Sequence, residues 1–136
     1  MIYLTRRERF NAAHRLCCEG WTDEENYAVF GKCANPNWHG HNYELFVTIK
    51  GTINPQTGFV INLKQLSKIV REKVIEKIDH KNLNLEVDFM QGKITTAENI
   101  AVAIWNEIAP AIALLDCSLH CVKVVETENN AVEYYG

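Results

Sequence analysis

The stretch HGHNYELFVTIKG, residues 39–51, decides the fold because its apolar residues recur at every second position. Side chains two residues apart in an extended chain project from the same face, so this alternation predicts a strand that is buried on one side. We expect the strand to end at Gly51, just before the turn-forming sequence NPQTG. The buried face carries two histidines as well as apolar residues: His39, His41, Tyr43, Leu45, Val47 and Ile49.

A second strand precedes this one in the chain. Residues 2–16 alternate so that Phe10, Ala12, His14 and Leu16 share one face. We expect the two strands to be antiparallel neighbours, which brings His14 to the end of the sheet where the second strand begins. Residues 17–38 contain several Gly, Asn and Pro residues without periodicity, so we predict a long loop there, and loops of this length are often functional.

The rest of the chain predicts two helices and a hairpin. The segment NLKQLSKIVREKVIEKI, residues 62–78, has apolar residues at helical spacing and resembles a capping box at Asn62 and Gln65. A second helix is expected to open at a box of Thr95 and Glu98 and to end near Pro110. Strands over about 119–127 and 131–135 complete the order ββααββ. The sequence therefore predicts an α+β fold with an antiparallel sheet, in a single domain over residues 1–136.

Composition excludes several classes of protein. The net charge of -3, without any basic run, gives no general attraction to nucleic acid or to an anionic membrane. No apolar run approaches the roughly 20 residues that span a bilayer, and the N-terminus lacks the pattern of a secretory signal. Five cysteines at irregular spacings do not form a disulfide framework. We therefore predict a cytoplasmic protein without nucleic-acid or membrane partners.

The histidines form the main candidate site. His39 and His41 on one strand face can reach the same metal ion, and His14 on the neighbouring strand is the natural third ligand. Three imidazoles that leave a fourth position open are the pattern of a catalytic zinc site. The alternative is an ordinary entry into a strand, with hydrogen-bonded or exposed histidines. Gly40, between the two, is expected to leave room for a ligand or substrate.

Other reactive side chains accompany the histidines. Cys33 lies six residues before His39, close enough to ligate a metal or to act as a free thiol nucleophile or base. Asp79 beside His80 is either a surface pair or a proton relay. Glu126 shares a face with apolar residues of the third predicted strand, and a buried carboxylate needs a partner.

Six stretches together resemble the 6-pyruvoyltetrahydropterin synthase family, which also contains the 6-carboxytetrahydropterin synthases. They cover nearly the whole chain in the family's order, which makes the resemblance specific although each stretch alone is weak. The stretches are FNAAHRL, GKCANPNWHGHNY, GFVINLKQL, IDHKNLN, TTAENIAV and VETENNAVEYYG.

The resemblance implies a zinc lyase and assigns roles to individual residues. The zinc ligands it implies are His14, His39 and His41. The catalytic residues it implies are Cys33 as base, and Asp79 with His80 as proton relay. The substrate-binding residues it implies are Glu126, Glu98 and Thr96. Glu126 suits a pterin anchor because a carboxylate accepts two parallel N–H bonds, whereas Glu98 is equally suited to capping a helix.

The resemblance also implies an assembly. Family members have the tunnelling fold (T-fold), in which helices cover one face of the sheet and the sheets of several subunits join into a β-barrel. A closed barrel would remove exposed sheet edges. The implied state is a homohexamer, a dimer of trimers with active sites at subunit interfaces, so that Cys33 and the Asp79–His80 pair of one site come from different chains.

The implied substrate is 7,8-dihydroneopterin triphosphate, converted to 6-pyruvoyltetrahydropterin and triphosphate without a redox cofactor. Arg15 and Lys81 are candidate cations for the triphosphate. The alternative product is 6-carboxy-5,6,7,8-tetrahydropterin, a queuosine precursor. The spacing between Cys33 and His39 favours the pyruvoyl branch, whereas Trp38 and Ala97 depart from its pattern. Two alternative functions belong to other classes of protein: a non-catalytic zinc- or pterin-binding module, and a zinc hydrolase.

Overall fold

Five strands form one sheet in the computed structural model, which describes residues 1–136. They are β1 (Ile2–His14), β2 (His39–Gly51), β3 (Lys81–Asn82), β4 (Ser118–Thr127) and β5 (Asn130–Tyr134). The spatial order is β3-β1-β2-β4-β5, and every pair is antiparallel except β1 with the short β3. β1 and β2 pair over their full length, from Ile2 opposite Gly51 to His14 opposite His39.

Four helices accompany the sheet: α1 (Asp23–Phe30), α2 (Leu63–Val70), α3 (Glu76–Ile78) and α4 (Ala97–Ile112). A π-helical turn, Arg71–Ile75, joins α2 to α3, so residues 63–78 form one continuous helical segment. Short 3-10 turns cover Gly31–Ala34 and Asp88–Met90. None of the helices combines the length and the apolar character needed to cross a membrane.

One face of the sheet packs against the helical segment 63–78 and α4, and it forms the hydrophobic core. Alternation along β2 buries every second side chain from Tyr43 to Ile49 completely, and β4 contributes Val122 and Val124 to the same layer. Each buried aliphatic side chain contributes about 1.5–3 kcal/mol relative to exposure. The β2 members of this layer are Tyr43, Leu45, Val47 and Ile49. Because the histidines of β1 and β2 continue the same face, they lie where the apolar core ends.

The predicted α+β class, the four long strands and both long helices are confirmed. The predicted loop over 17–38 is wrong in part, because it contains α1. Thr22 accepts a hydrogen bond from the Glu25 N–H and the Glu25 carboxylate accepts one from the Thr22 N–H, a complete capping box. Only Asn26 of this helix is buried, so the helix has no apolar stripe for periodicity to detect.

Several predicted boundaries also differ. The second long helix is capped by Thr96, not Thr95, and it continues past Pro110 to Ile112. Pro110 lies in the last turn, so the one hydrogen bond that proline cannot donate is lost near the end of the helix and the preceding turns are unaffected. Asn62 does cap α2, by accepting from the Lys64 N–H. β3 was not predicted, since two residues are too few for any pattern.

Candidate active site

The three histidines meet at the end of the β1–β2 pair. His14 lies directly opposite His39, and His41 follows on the same face two residues later. The ring centroids are 4.5 Å apart for His14 and His39, and 5.1 Å apart for each of the other two pairs. One nitrogen from each ring lies within 4.8 Å of the others, so the cluster is positioned to bind a metal ion.

The hydrogen bonding of the cluster fits a metal. Both ring nitrogens of His39 and the Nε2 of His41 are buried without any hydrogen-bond partner. Leaving a buried polar atom unsatisfied costs about 1–3 kcal/mol, so such atoms are rare unless something else satisfies them. Imidazole nitrogens with free lone pairs are common ligands of Zn²⁺ and other transition metals. The residues present therefore fit a bound metal ion.

His14 is held in the orientation that a ligand needs. Its Nδ1 lies 2.8 Å from the Thr95 carbonyl oxygen. A carbonyl can only accept, so Nδ1 carries the proton and Nε2 keeps its lone pair for a metal. Burial lowers the pKa of His14 to about 4, against the opposing effect of the Thr95 hydrogen bond. Burial and the neighbouring His41 also lower the pKa of His39, which keeps these rings in their neutral, metal-binding form.

Tyr43 forms the floor beneath the histidines. Its hydroxyl lies 3.5 Å from both ring nitrogens of His14, and its ring stacks on Phe10 at 4.7 Å. Burial, followed by the electrostatic influence of Glu126 and Cys33, raises the pKa of Tyr43. The phenol therefore stays protonated. Because Glu126 and Cys33 both affect this hydroxyl, both lie near the histidine cluster. The sequence predicted Tyr43 only as a core residue. Alternation shows that its side chain is on the buried face, but not that its hydroxyl lies beside the histidines.

Glu126 approaches the histidines from β4. Its Oε1 lies 3.7 Å from the Nε2 of His41, and its side chain is 23% exposed. The register between β4 and β5 shifts between Val125 and Thr127, so Glu126 occupies an irregularity in the ladder. Bulges of this kind re-aim a side chain relative to the regular pleat. The predicted carboxylate thus lies at the site, with an imidazole as its neighbour.

Cys33 reaches the site from the turn that follows α1. The Leu16 N–H donates to the Cys33 carbonyl at 2.8 Å, and Arg15 Nε donates to the Ala34 carbonyl at 2.8 Å. Arg15 also forms an ion pair with Asp23 at 3.0 Å. The guanidinium of Arg15 is therefore engaged in holding the Cys33 turn against the end of β1. This argues against its predicted role as a cation for the triphosphate.

Asp79 and His80 lie apart from this cluster, at the outer edge of β1. Asp79 Oδ1 accepts from the Asn11 N–H at 2.8 Å, and this bond is the main cause of the lowered pKa of Asp79. His80 Nδ1 lies 3.0 Å from Asp79 Oδ2, and the His80 side chain is 81% exposed. No hydrogen bond or ion pair joins this pair to the three histidines, Cys33 or Glu126 within the chain.

The start of α4 holds the remaining predicted residues. Thr96 Oγ1 accepts from the Asn99 N–H at 3.3 Å, which makes Thr96 the helix cap. Glu98 is exposed in the first helical turn. The buried Thr95, which the sequence suggested only as a cap, is instead the residue that contacts His14. No local sequence signal could have found this contact, because it is made by the Thr95 backbone carbonyl with a residue 81 positions away.

The fold and the cluster define an α+β protein with a histidine centre positioned to bind a metal. The model of the 6-pyruvoyl tetrahydropterin synthase family matches residues 3–136. The human 6-pyruvoyl tetrahydrobiopterin synthase is 45% identical over 133 residues, covering 98% of this chain and 90% of the human protein. The Dictyostelium discoideum protein of the same name is 44% identical, covering 99% and 96%. The chain belongs to the 6-pyruvoyl tetrahydropterin synthase family.

A solved structure and a more distant relative extend the comparison. The Caenorhabditis elegans 6-pyruvoyl tetrahydropterin synthase structure superposes with a TM-score of 0.90 at 35% identity, covering 99% of this chain and 95% of that one. A 6-carboxy-5,6,7,8-tetrahydropterin synthase from Rickettsia typhi is 28% identical, covering 98% of this chain and 99% of that protein. The chain is thus more similar to the pyruvoyl relatives described above than to this carboxy relative.

Gly40 determines how closely the ligand-bearing strands approach. A Cβ added there would lie 2.9 Å from the Ala12 carbonyl oxygen, so the space is taken by β1 and not by a ligand, contrary to the prediction. We expect Gly40→Ala to destabilise the protein by about 1–3 kcal/mol and to weaken metal binding by at least about 10-fold, because it separates His14 from His39. Urea unfolding and chelator competition measure the two effects.

Gly51→Ala is the matched control at the other end of β2. Its added Cβ would meet the Val60 side chain at 2.6 Å, far from the histidines. It should destabilise the fold but leave metal affinity unchanged. Wild-type affinity in folded Gly40→Ala protein would contradict the role given to this contact.

Proposed function

We propose that the protein is a zinc-dependent 6-pyruvoyl tetrahydropterin synthase that converts 7,8-dihydroneopterin triphosphate to 6-pyruvoyltetrahydropterin and triphosphate. The observation that carries the proposal is the cluster of three histidines with unsatisfied nitrogens, beside Cys33 and Glu126. Relatives at 44–45% identity are named 6-pyruvoyl tetrahydrobiopterin synthase, which supports the proposal. Residues 1–136 act as one synthase domain, and the free cysteines are compatible with a location in the reducing cytoplasm.

The metal in this proposal is Zn²⁺, held by His14, His39 and His41. Bound there, zinc would polarise the oxygens of the substrate side chain and acidify its hydroxyl groups. The lowered pKa of His14 and of His39 means that neither ring must lose a proton at neutral pH before it binds metal. Tyr43 keeps its proton and can donate a hydrogen bond within the site.

The chain's own residues then bind the pterin and move its protons. Glu126 accepts hydrogen bonds from the ring N–H and from the exocyclic amino group of the pterin. A carboxylate suits this pairing because its two oxygens can accept two parallel bonds. Because Glu126 lies beside His41, a pterin anchored on it carries its side chain towards the histidines. Cys33, whose carbonyl accepts from the Leu16 N–H and whose neighbour Ala34 is bonded by Arg15, removes the carbon-bound proton as the base. Thr96 and Glu98, at the start of α4, contribute further substrate contacts.

The second proton is handled by Asp79 and His80 of another subunit. Within one chain this pair lies at the outer edge of β1 and contacts neither the histidines nor Cys33. β3 pairs with Ala12 and Ala13, and Asp79 and His80 bond the Asn11 backbone, so residues 2–10 of β1 form an open edge. β5 is the other open edge. Exposed edges favour pairing with further strands, which supports a β-barrel of several copies and a homohexamer built as a dimer of trimers.

The carboxy product and a non-catalytic binding module remain the competing functions. Incubating the zinc-loaded protein with 7,8-dihydroneopterin triphosphate and identifying the products by mass spectrometry separates them. We expect triphosphate and a pyruvoyl pterin without acetaldehyde. A carboxypterin with acetaldehyde would assign the protein to the other branch, and untouched substrate would favour a binding module.

Cys33→Ala tests the proposed base. We expect full zinc content with turnover reduced by about 100-fold or more, since a positioned general base contributes about 10²–10⁴-fold. Cys117→Ala is the control, because Cys117 lies near Gly51 at the opposite end of the sheet. It should keep wild-type turnover. If Cys33→Ala also kept it, the thiol would have no part in the mechanism.

Mixing two inactive variants tests the shared site. Cys33→Ala subunits lack the thiol and His80→Ala subunits lack the imidazole. If each site takes Cys33 from one subunit and His80 from another, half of the sites in an equal, exchanged mixture have Cys33 and half have His80. About a quarter of the sites should then have both and be active. Each variant alone should stay inactive at the same total concentration. Activity that never recovers, although mass spectrometry shows mixed oligomers, would place both components of a site in one chain.

A further inference from the structure

Asn84 extends the pairing of β3 with β1 beyond the last strand residues. The Leu83 N–H donates to the Ala13 carbonyl at 2.8 Å, the final backbone bond of this edge. The Asn84 amide then continues the ladder: the Arg15 N–H donates to Asn84 Oδ1 at 3.0 Å, and Asn84 Nδ2 donates to the Arg15 carbonyl at 2.9 Å. A single side chain thus pairs both backbone groups of the residue that follows His14.

The same amide is in contact with Thr95. The Thr95 hydroxyl lies 3.2 Å from both Asn84 Oδ1 and the Arg15 carbonyl, so its proton is donated within this group. Thr95 is completely buried, where such a hydroxyl needs its partners. The backbone of Asn84 is also held in place, because its N–H donates to Asn82 Oδ1 at 3.0 Å. Arg15, Asn84 and Thr95 are thus each hydrogen-bonded to the other two, and we call this group the bracket.

The bracket ends on a candidate metal ligand. The Thr95 carbonyl accepts from His14 Nδ1 at 2.8 Å, and His14 immediately precedes the bracketed Arg15. Both the backbone that carries the imidazole and the group that orients its ring are therefore held by Asn84. Partners that hydrogen-bond the second nitrogen of a ligating histidine fix its tautomer and orientation, and their loss typically weakens metal binding 10–100-fold.

We propose that Asn84 is a positioning residue for the metal site, acting on His14 through the Arg15 backbone and the Thr95 carbonyl. The inference rests on the metal role given to the histidines above. Asn84 contacts no metal ligand itself in the chain, so its effect is on orientation. Asn11 on the same edge is bonded by the Asp79 carboxylate and the His80 N–H, but residues 2–11 carry no candidate ligand.

The test measures metal binding and not turnover. Asn84→Ala protein should bind Zn²⁺ about 10–100-fold more weakly in chelator competition. With Co²⁺ as probe, its visible absorption should change in intensity or position, because the imidazole of His14 is less well oriented. Asn84→Asp keeps the acceptor for the Arg15 N–H and the Thr95 hydroxyl, so it should recover most of the affinity. Asn84→Leu keeps the volume but loses these hydrogen bonds, so it should bind Zn²⁺ as weakly as Asn84→Ala. Wild-type affinity in Asn84→Leu would show that Asn84 only fills space and would overturn the inference.

Asn62→Ala is the control for general destabilisation. Asn62 caps α2 through one hydrogen bond to the Lys64 N–H, and its loss costs about 1 kcal/mol without touching the bracket. It should leave Zn²⁺ affinity and the Co²⁺ spectrum unchanged. Thr95→Val, which removes the hydroxyl but keeps the carbonyl, is the second variant should Asn84→Ala fail to fold. It should weaken Zn²⁺ binding in the same direction.

His39→Ala distinguishes failure of this inference from failure of the metal site. If His39→Ala loses zinc while folded Asn84→Ala and Thr95→Val bind it like wild type, the positioning role is wrong and the metal site holds. If His39→Ala retains a full equivalent of zinc at wild-type affinity, the ligand set is wrong and the inference falls with it.

Discussion

The full-length pairing of β1 with β2 is the constraint on which the rest of the structure depends. It places His14 opposite His39 without any contribution from a loop, and it continues directly from the apolar layer of the core. Because side chains alternate with period two, a slip of one residue would turn the β2 histidines to the opposite face. The large buried set of Leu45, Val47 and Ile49 makes such a slip very unfavourable. The core thus fixes the register that builds the site.

Burial at the end of this layer also sets the chemistry of the rings. Water that would solvate an imidazolium is excluded by the same packing that buries Tyr43, so the neutral imidazole is favoured. The cost is a group of polar nitrogens that the protein alone does not satisfy. Folding energy from the apolar core therefore supports a centre that is incomplete by itself, a common property of functional sites.

The sequence predicted those parts of the molecule in which one periodicity operates over many residues. Strand alternation located the histidine face of β1 and β2, and helical spacing located the segment 63–78. It could not predict α1, which has a capping box but no apolar stripe, or β3, which is two residues long. The contact of Thr95 with His14 joins residues 81 positions apart and leaves no local pattern. The Asp79–His80 pair lies away from the histidines, so only the family resemblance connected it to them.

The two halves of the site rest on supports of unequal rigidity. The histidines stand on paired strands, whereas Cys33 follows α1, a helix with a single buried residue. This segment is held by its own cap, by Asn26, and by the polar contacts of Arg15 and Leu16. Segments with few buried contacts open locally at much lower free energy than the core. Amide hydrogen exchange should therefore be fast across residues 23–34 and slow across β1 and β2. The segment that carries Cys33 can therefore move more easily than the strands that carry the three histidines.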